Sequence, residues 1–361
     1  MKRIFTILAM AALLLTGCEK DEIPSTPQEP QTVLTQSANC YIISAAGSYK
    51  FRATKGNTSE SVGEVASAAV LWESFGTDQQ PSVGDLVKDV SYKDGEITFK
   101  ATDRKGNAVI AAKDAAGNIL WSWHIWMTDQ PKEQEYYNNA GTMMDRNLGA
   151  TSATPGDVGA RGLLYQWGRK DPFLGSSSIS DDNEAKSTIT WPSAVSSDSS
   201  NGTIAYAIAN PTTFITENRY ILDWYYTDSD PTYNTRWTTS ANTKSIYDPC
   251  PAGWRVPDSG KDGVWSKALG SSSEFKNVFE NVDRGMNFSG KFGSDQTIWY
   301  PAPGFRGYSD GSFSKVAYYG LYWAASTYGQ RANNLCIYDD GTVASRNGSR
   351  AYGCSVRCIK E

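Results

Sequence analysis

From Ile119 to Met127 the chain reads Ile-Leu-Trp-Ser-Trp-His-Ile-Trp-Met. Ile119, Trp121, Trp123, Ile125 and Met127 fall at every second position. A helix would spread them around its circumference, whereas an extended strand puts all five on one face. The flanking sequence repeats the pattern. Tyr49, Phe51 and Ala53 alternate with Lys50 and Arg52, and Ile97, Phe99 and Ala101 alternate with Thr98 and Lys100. Val109 to Ala112 and Ile119 to Met127 flank Asp114-Ala115-Ala116-Gly117-Asn118, a hairpin connection by length and residue type. About seven short strands over about 95 residues predict a β-sandwich for residues 34–129.

The N-terminus carries a different signal. Lys2 and Arg3 precede a 12-residue, mostly apolar run from Ile4 to Leu15. A membrane-spanning helix needs about 20 such residues, so the run fits the h-region of a secretory signal peptide, residues 1–17. Leu15-Thr16-Gly17-Cys18 resembles a bacterial lipobox, which implies cleavage before Cys18 and a covalent lipid on its thiol. Each buried methylene adds about 0.8 kcal/mol, so several acyl chains anchor a protein stably. Glu19-Lys20-Asp21-Glu22 resembles the signals that sort Bacteroidetes lipoproteins to the outer face of the outer membrane. The expected location is therefore the cell surface. Residues 18–33, with Pro24, Pro27 and Pro30, read as a flexible acidic tether that reaches roughly 50 Å when stretched. No later run approaches 18 apolar residues. The net charge of −5 becomes −7 once Lys2 and Arg3 leave with the signal peptide, so no nucleic-acid partner is expected.

Residues 130–137 read as a joint, and a second domain runs over 138–361. Leu163, Leu164 and Trp167 predict a helix over Ala160 to Gly168. Residues 175–203, dominated by Ser, Asp and Asn, read as an exposed, disordered-looking insertion. A second short helix is expected over Lys261 to Leu269, capped by Asp258 or Ser259. Twelve Trp, 20 Tyr and 12 Phe beside 32 Gly point to β-rich, loop-rich domains rather than helical ones.

The second domain carries a long specific string, Asp248-Pro249-Cys250-Pro251-Ala252-Gly253-Trp254-Arg255-Val256-Pro257. Gly320-Leu321-Tyr322-Trp323-Ala324-Ala325-Ser326 and Gly353-Cys354-Ser355-Val356-Arg357-Cys358 follow it. With Met144 to Ala150 and Leu164 to Arg169, these strings resemble the Fibrobacter succinogenes major paralogous domain, a C-type-lectin-like fold of Bacteroidetes surface lipoproteins. Residues 39–129, with Asn39-Cys40-Tyr41-Ile42 and the Trp-rich strand, look like the sandwich often found before it. Such chains are called fimbrillin-like or pilus-tip-like. The expected fold class is mainly β, an N-terminal β-sandwich followed by an α+β C-type-lectin-like domain. The resemblance implies a Cys250–Cys358 disulfide, which an oxidising compartment permits. Closing about 108 residues stabilises by roughly 4.7 kcal/mol on the chain-entropy model. Cys40, Cys336 and Cys354 remain. A Cys336–Cys354 bridge is one reading, with residues 333–338 and 352–359 as neighbouring strands; alternation onto opposite faces is the other.

No enzyme chemistry is expected. The only histidine, His124, lies in a different domain from the candidate nucleophiles of the second, which excludes Ser-His-Asp and Cys-His arrangements there. A single His builds no His-rich metal site, and no phosphate-loop string occurs. Asp223, Asp228, Asp230, Asp339 and Asp340 offer carboxylates, but nothing pairs them as a glycosidase requires. The calcium-site strings of C-type lectins are absent, and Asp181-Asp182 and Asp228-Ser229-Asp230 read as solvated loops. No metal or other cofactor is expected besides the lipid. The stretch from Tyr318 to Tyr352 instead has paratope-like composition. Tyr328, Arg331, Asn334, Tyr338, Arg346, Asn347 and Tyr352 are its candidate ligand-binding residues, with Asn334 and Tyr338 pointing outward together. It resembles the C-terminal region that retroelements diversify in some lectin-like proteins. The expected function is adhesion: a surface binding protein contacting a protein or glycan, with pilus or transporter components as further partners. The alternatives are a structural fimbrial subunit and a carbohydrate-capturing lipoprotein of an uptake system.

Overall fold

The computed structural model describes residues 30–218, 221–227, 233–239, 243–269, 278–288, 298–339 and 341–361. The expected signal peptide (residues 1–17), Cys18, most of the expected tether, Asp228, Asp230 and Asp340 lie outside the described residues.

The chain is mainly β. Its first eight strands are β1 (Gln31–Val33), β2 (Cys40–Ile43), β3 (Gly47–Arg52), β4 (Ser67–Ser74), β5 (Val87–Lys93), β6 (Glu96–Ala101), β7 (Gly106–Lys113) and β8 (Ile119–Met127). They form two four-stranded sheets, ordered β1-β3-β6-β5 and β2-β8-β7-β4. The alternation in the sequence places Tyr49, Phe51, Ile97 and Phe99 of one sheet against Trp121, Trp123, Ile125 and Met127 of the other, in one core. Phe51 meets Trp123 edge-on at 5.2 Å, a favoured aromatic geometry. Asp114 closes the β7–β8 turn by accepting from the Ala116 and Asn118 N–H groups.

The opposite face of β8 is buried as well: Ser122, His124 and Trp126 are all inside. This face carries the rest of the chain. Trp126 donates to the Ala150 carbonyl at 2.9 Å and Asn107 to the Gly149 carbonyl at 2.9 Å. Cys40, Trp72, Val109 and Trp126 share a core with Leu148, Leu163, Tyr165, Trp167 and Trp323, and residues 31–361 form one compact unit.

The later strands are β9 (Glu133–Tyr136), β10 (Gly141–Met144), β11 (Leu164–Gln166), β12 (Val195–Ser196), β13 (Ile215–Thr216), β14 (Trp254–Arg255), β15 (Val278–Glu280), β16 (Gly285–Asn287) and β17 (Trp299–Pro301). After them come β18 (Phe305–Arg306), β19 (Phe313–Ser314), β20 (Tyr319–Tyr328), β21 (Arg331–Tyr338), β22 (Gly341–Ser349), β23 (Gly353–Ser355) and β24 (Ile359–Lys360). The main sheet runs β19-β18-β23-β20-β21-β22, with β11 also on β23. A second sheet runs β14-β24-β10-β9. Cys250 and Cys358 are bonded, with Cα atoms 6.0 Å apart, so the loop that leads into β14 is tied covalently to the residue before β24, beside the β14–β24 ladder.

Several expectations are corrected. Residues 160–168 form no helix: a single 3₁₀ turn at Val158–Ala160 is followed by β11, which pairs with β23. Gly162 sits at φ +72° and Gly168 at φ +83°, values that interrupt a right-handed helix. The second helix, α2 (Val264–Leu269), is shorter than expected, while α1 (Ile204–Ala209), capped by Thr203, has no counterpart in the sequence reading. Residues 133–136 of the expected joint are a paired strand. In the 175–203 stretch, Ser176, Ala185 and Ser187 are buried. This stretch hydrogen-bonds the free edge of β4: Thr188 N–H donates to Glu73 C=O and Glu73 N–H to the Thr188 hydroxyl. It supplies the pairing that an edge strand otherwise leaves open.

Candidate ligand-binding face

β20, β21 and β22 are consecutive antiparallel hairpin strands. Gly329 turns β20 into β21 at φ +56°. Beneath this tip lies Arg350, fully buried, donating to the Gly329 carbonyl at 2.9 Å, to Asn234 Oδ1 at 2.6 Å and to the Tyr233 carbonyl at 2.8 Å. It shares the Asp223 carboxylate with Arg236. The rings of Trp167 and Tyr233 lie 4.4 and 4.3 Å from its guanidinium, a cation–π arrangement. Burial lowers the Arg350 pKa to about 10, so it remains charged and fixes the tip.

The seven candidate residues divide between the two faces of this sheet. Tyr328 is 68% exposed at the tip. Arg331 is exposed and donates to Asn347 Oδ1 at 3.1 Å. Arg346, the next residue along β22, points the other way, since neighbouring strand residues alternate; its guanidinium meets Cys336 Sγ at 3.6 Å. Asn334 does not point outward. It is buried, and its Oδ1 has no partner among the described residues. Leu335 and Ile337 face one core while Ala332 and Cys336 face the other, so most of β21 is covered on both sides. A strand judged from alternation alone looks half-exposed, because the second covering layer comes from residues far away in sequence.

Tyr338 is half-buried and stacks on Tyr319, with centroids 6.0 Å apart. Phe305 meets Tyr319 at 6.5 Å and Tyr352 at 5.3 Å, and Tyr308 meets Tyr352 at 4.8 Å. Tyr338, Tyr319, Phe305, Tyr352 and Tyr308 therefore form a continuous row of partly exposed rings with exposed Arg346 beside it. Burial pushes the Tyr352 phenol up to about 12, leaving it a neutral hydrogen-bonding group at physiological pH. The sequence reading missed Phe305, Tyr308 and Tyr319. They reach the row from β18, its following turn and β20, and no local pattern joins them.

Cys336 and Cys354 are unbridged and buried. Both belong to the same core face, but β20 lies between their strands, which are therefore not the expected neighbours. Leu321 pairs with Cys336, and the β20–β23 register sets it opposite Cys354. Two strand spacings put the two Cα atoms about 9–10 Å apart, beyond the 4.4–6.8 Å or so a disulfide spans.

The structure also forms a Cys–His pair between β2 and β8, which the sequence reading did not anticipate. Cys40 Sγ lies 3.3 Å from His124 Nδ1, and His124 Nε2 lies 2.9 Å from Asn107 Oδ1. Asn107 spends its Nδ2 on the Gly149 carbonyl, so its oxygen must accept from Nε2–H. Nδ1 of the neutral ring then accepts the thiol proton. Burial lowers the His124 pKa to about 3 and raises that of Cys40 well above its usual range. Both shifts oppose the thiolate–imidazolium pair that nucleophilic catalysis uses. Elsewhere, Asp181 accepts from serine hydroxyls and Asp182 from the Val316 N–H. No group of three or more potential metal ligands occurs among the described residues. No family model, curated protein or solved structure matches the chain.

Proposed function

We propose that the chain is a non-enzymatic surface lipoprotein, held by lipid on Cys18, whose C-terminal lectin-like region binds a protein or glycan. The row Tyr338–Tyr319–Phe305–Tyr352–Tyr308, with Arg346 at its rim, is the contact surface. That row carries the reading. Tyr rings give rigid contact area at low entropic cost, and Arg adds directional hydrogen bonds. Support for export comes from the signal peptide and lipobox in the sequence, together with the Cys250–Cys358 bond, a linkage that persists in oxidising compartments. The lectin-like assignment rests on the sequence strings quoted above.

The test is to screen the detergent-purified full chain on glycan and host-protein arrays. Tyr352→Ala and Arg346→Ala are expected to weaken the hits at least tenfold. Tyr328→Ala and Arg331→Ala, on the tip and the opposite face, are expected to leave them unchanged. Hits that ignore Tyr352 and Arg346 but depend on Tyr328 and Arg331 would move the contact to the other face.

A further inference from the structure

Beside this row lies a cavity of about 230 Å³ that the contact surface does not use. Its walls include Trp191 and Phe313, both half-buried, over the buried rings of Phe173 and Phe214. Its polar rim includes Glu184, Asp310 and Ser312. We propose that it is a binding site for a single pyranose ring, such as the terminal residue of a glycan. This rests on the binding-protein reading above and gives it a ligand class.

The walls are held rigidly. Trp191 packs on Trp72 at 5.5 Å and Phe173 at 6.0 Å, and its indole N–H donates to the Ser187 hydroxyl. Phe173 meets Phe214 edge-on at 5.2 Å. Gly311, at φ +71°, lets the β18–β19 turn lie against the Phe214 ring; a Cβ there would approach to 2.9 Å. Asp310 Oδ1 accepts from the Ser312 N–H at 3.0 Å and the Ser312 hydroxyl at 2.8 Å. The site is thus formed before any ligand arrives, which lowers the ordering cost of binding.

The charges select the ligand. Arg306, at the floor, donates to the Leu174 and Gly311 carbonyls and to Glu184. Each of its three nitrogens donates within the protein, and Glu184 and Asp310 share the cavity wall, so a phosphate or carboxylate ligand would face carboxylates of its own sign. Glu184 is neutralised by that same ion pair, which leaves little field to hold a cation. What remains is two carboxylates and a hydroxyl beside flat rings. These match the hydroxyl donors and the apolar C–H face of a neutral sugar. The volume is below the roughly 300–1,000 Å³ of drug-sized sites and holds one ring rather than an oligomer.

The experiment uses the full chain with methyl glycosides of glucose, galactose, mannose and N-acetylglucosamine, by saturation-transfer NMR and titration calorimetry. At least one is expected to bind, with transfer strongest on the protons of one ring face. Asp310→Asn and Phe313→Ala are expected to weaken it at least tenfold, without changing the melting temperature by more than a degree or two. Tyr328→Ala, at the exposed hairpin tip outside both surfaces, is expected to leave it unaltered. The site is refuted if no glycoside binds, if binding ignores both Asp310 and Phe313, or if tetramethylammonium competes as well as the sugar. Array hits that persist and still depend on Tyr352 would then leave the binding function standing without this pocket.

Discussion

His124 is the chain's only histidine, so its titration can be isolated by one substitution. Its folded pKa of about 3 lies below the unfolded value of 6.5. The unfolded chain therefore takes up the proton first. The stabilisation is complete above pH 6.5 and is lost as pH falls from there toward 3. One pKa unit corresponds to about 1.4 kcal/mol, so this residue alone should remove roughly 2–3 kcal/mol between pH 6.5 and pH 4.5. Asp129, held low by Arg146 and Lys105, adds loss of the same sign, whereas burial raises the Asp248 pKa and works in the opposite direction. The difference between wild type and His124→Gln removes that background. Glutamine can still accept from the Cys40 thiol and donate to Asn107. Urea unfolding at the two pH values should show a shallower acid loss in the variant. Equal slopes would mean that the imidazole takes up its proton at the same pH in the folded protein as in the unfolded chain, and is not held neutral by burial.

At the scale of the element, the strands were legible wherever one face alone decides the pattern. Tyr49, Phe51, Ile97 and Phe99 alternate with polar residues and line one core, as their spacing predicts. Misreadings arise where both faces are covered or where glycine sets the backbone. Leu163, Leu164 and Trp167 have helix-like spacing, but Gly162 ends any helix before it starts, and β23 offers a ladder instead. A Cβ at Gly162 would come within 2.7 Å of the Leu148 carbonyl oxygen, at a φ that L-residues rarely adopt. Gly162→Ala should therefore cost more than about 1 kcal/mol, read as a lower denaturation midpoint with unchanged slope. A neutral or stabilising effect would restore the helical reading. The string around Cys250 has an explicit physical role in the fold. Asp248 Oδ1 accepts from the Cys250 N–H and Oδ2 from the Val256 N–H, while Lys244 Nζ donates to the carbonyls of Cys250, Pro251 and Trp254. A buried Lys–Asp pair thus folds the loop that presents Cys250 to Cys358. The aromatic row could not be read in this way, because its five rings come from β18, the turn after it, β20, β21 and the turn before β23.

Across the whole molecule, the two halves meet through a seam that is polar as well as apolar. Asn39 donates to the Ile246 and Asp248 carbonyls and accepts from the Trp121 indole. Lys170 donates to the carbonyl and hydroxyl of Ser122, pairs with Asp171 at 2.7 Å, and lies 4.7 Å from the Trp121 ring. These groups are buried, and separating the halves would leave their hydrogen bonds to be replaced by water while exposing a shared apolar core. The seam gives the second face of β8 its role: Ser122, His124 and Trp126 serve the second half of the chain rather than solvent. A tether of independent domains would unfold in two steps. A shared core with buried partners on both sides should unfold in one, with calorimetric and van't Hoff enthalpies equal. Lys170→Met should lower the stability of that single transition by about 3–5 kcal/mol, because Asp171 is left buried without its cation. Two separate transitions in the wild type, or a Lys170→Met effect confined to one of them, would show that the halves fold independently and that the seam is only a contact between them.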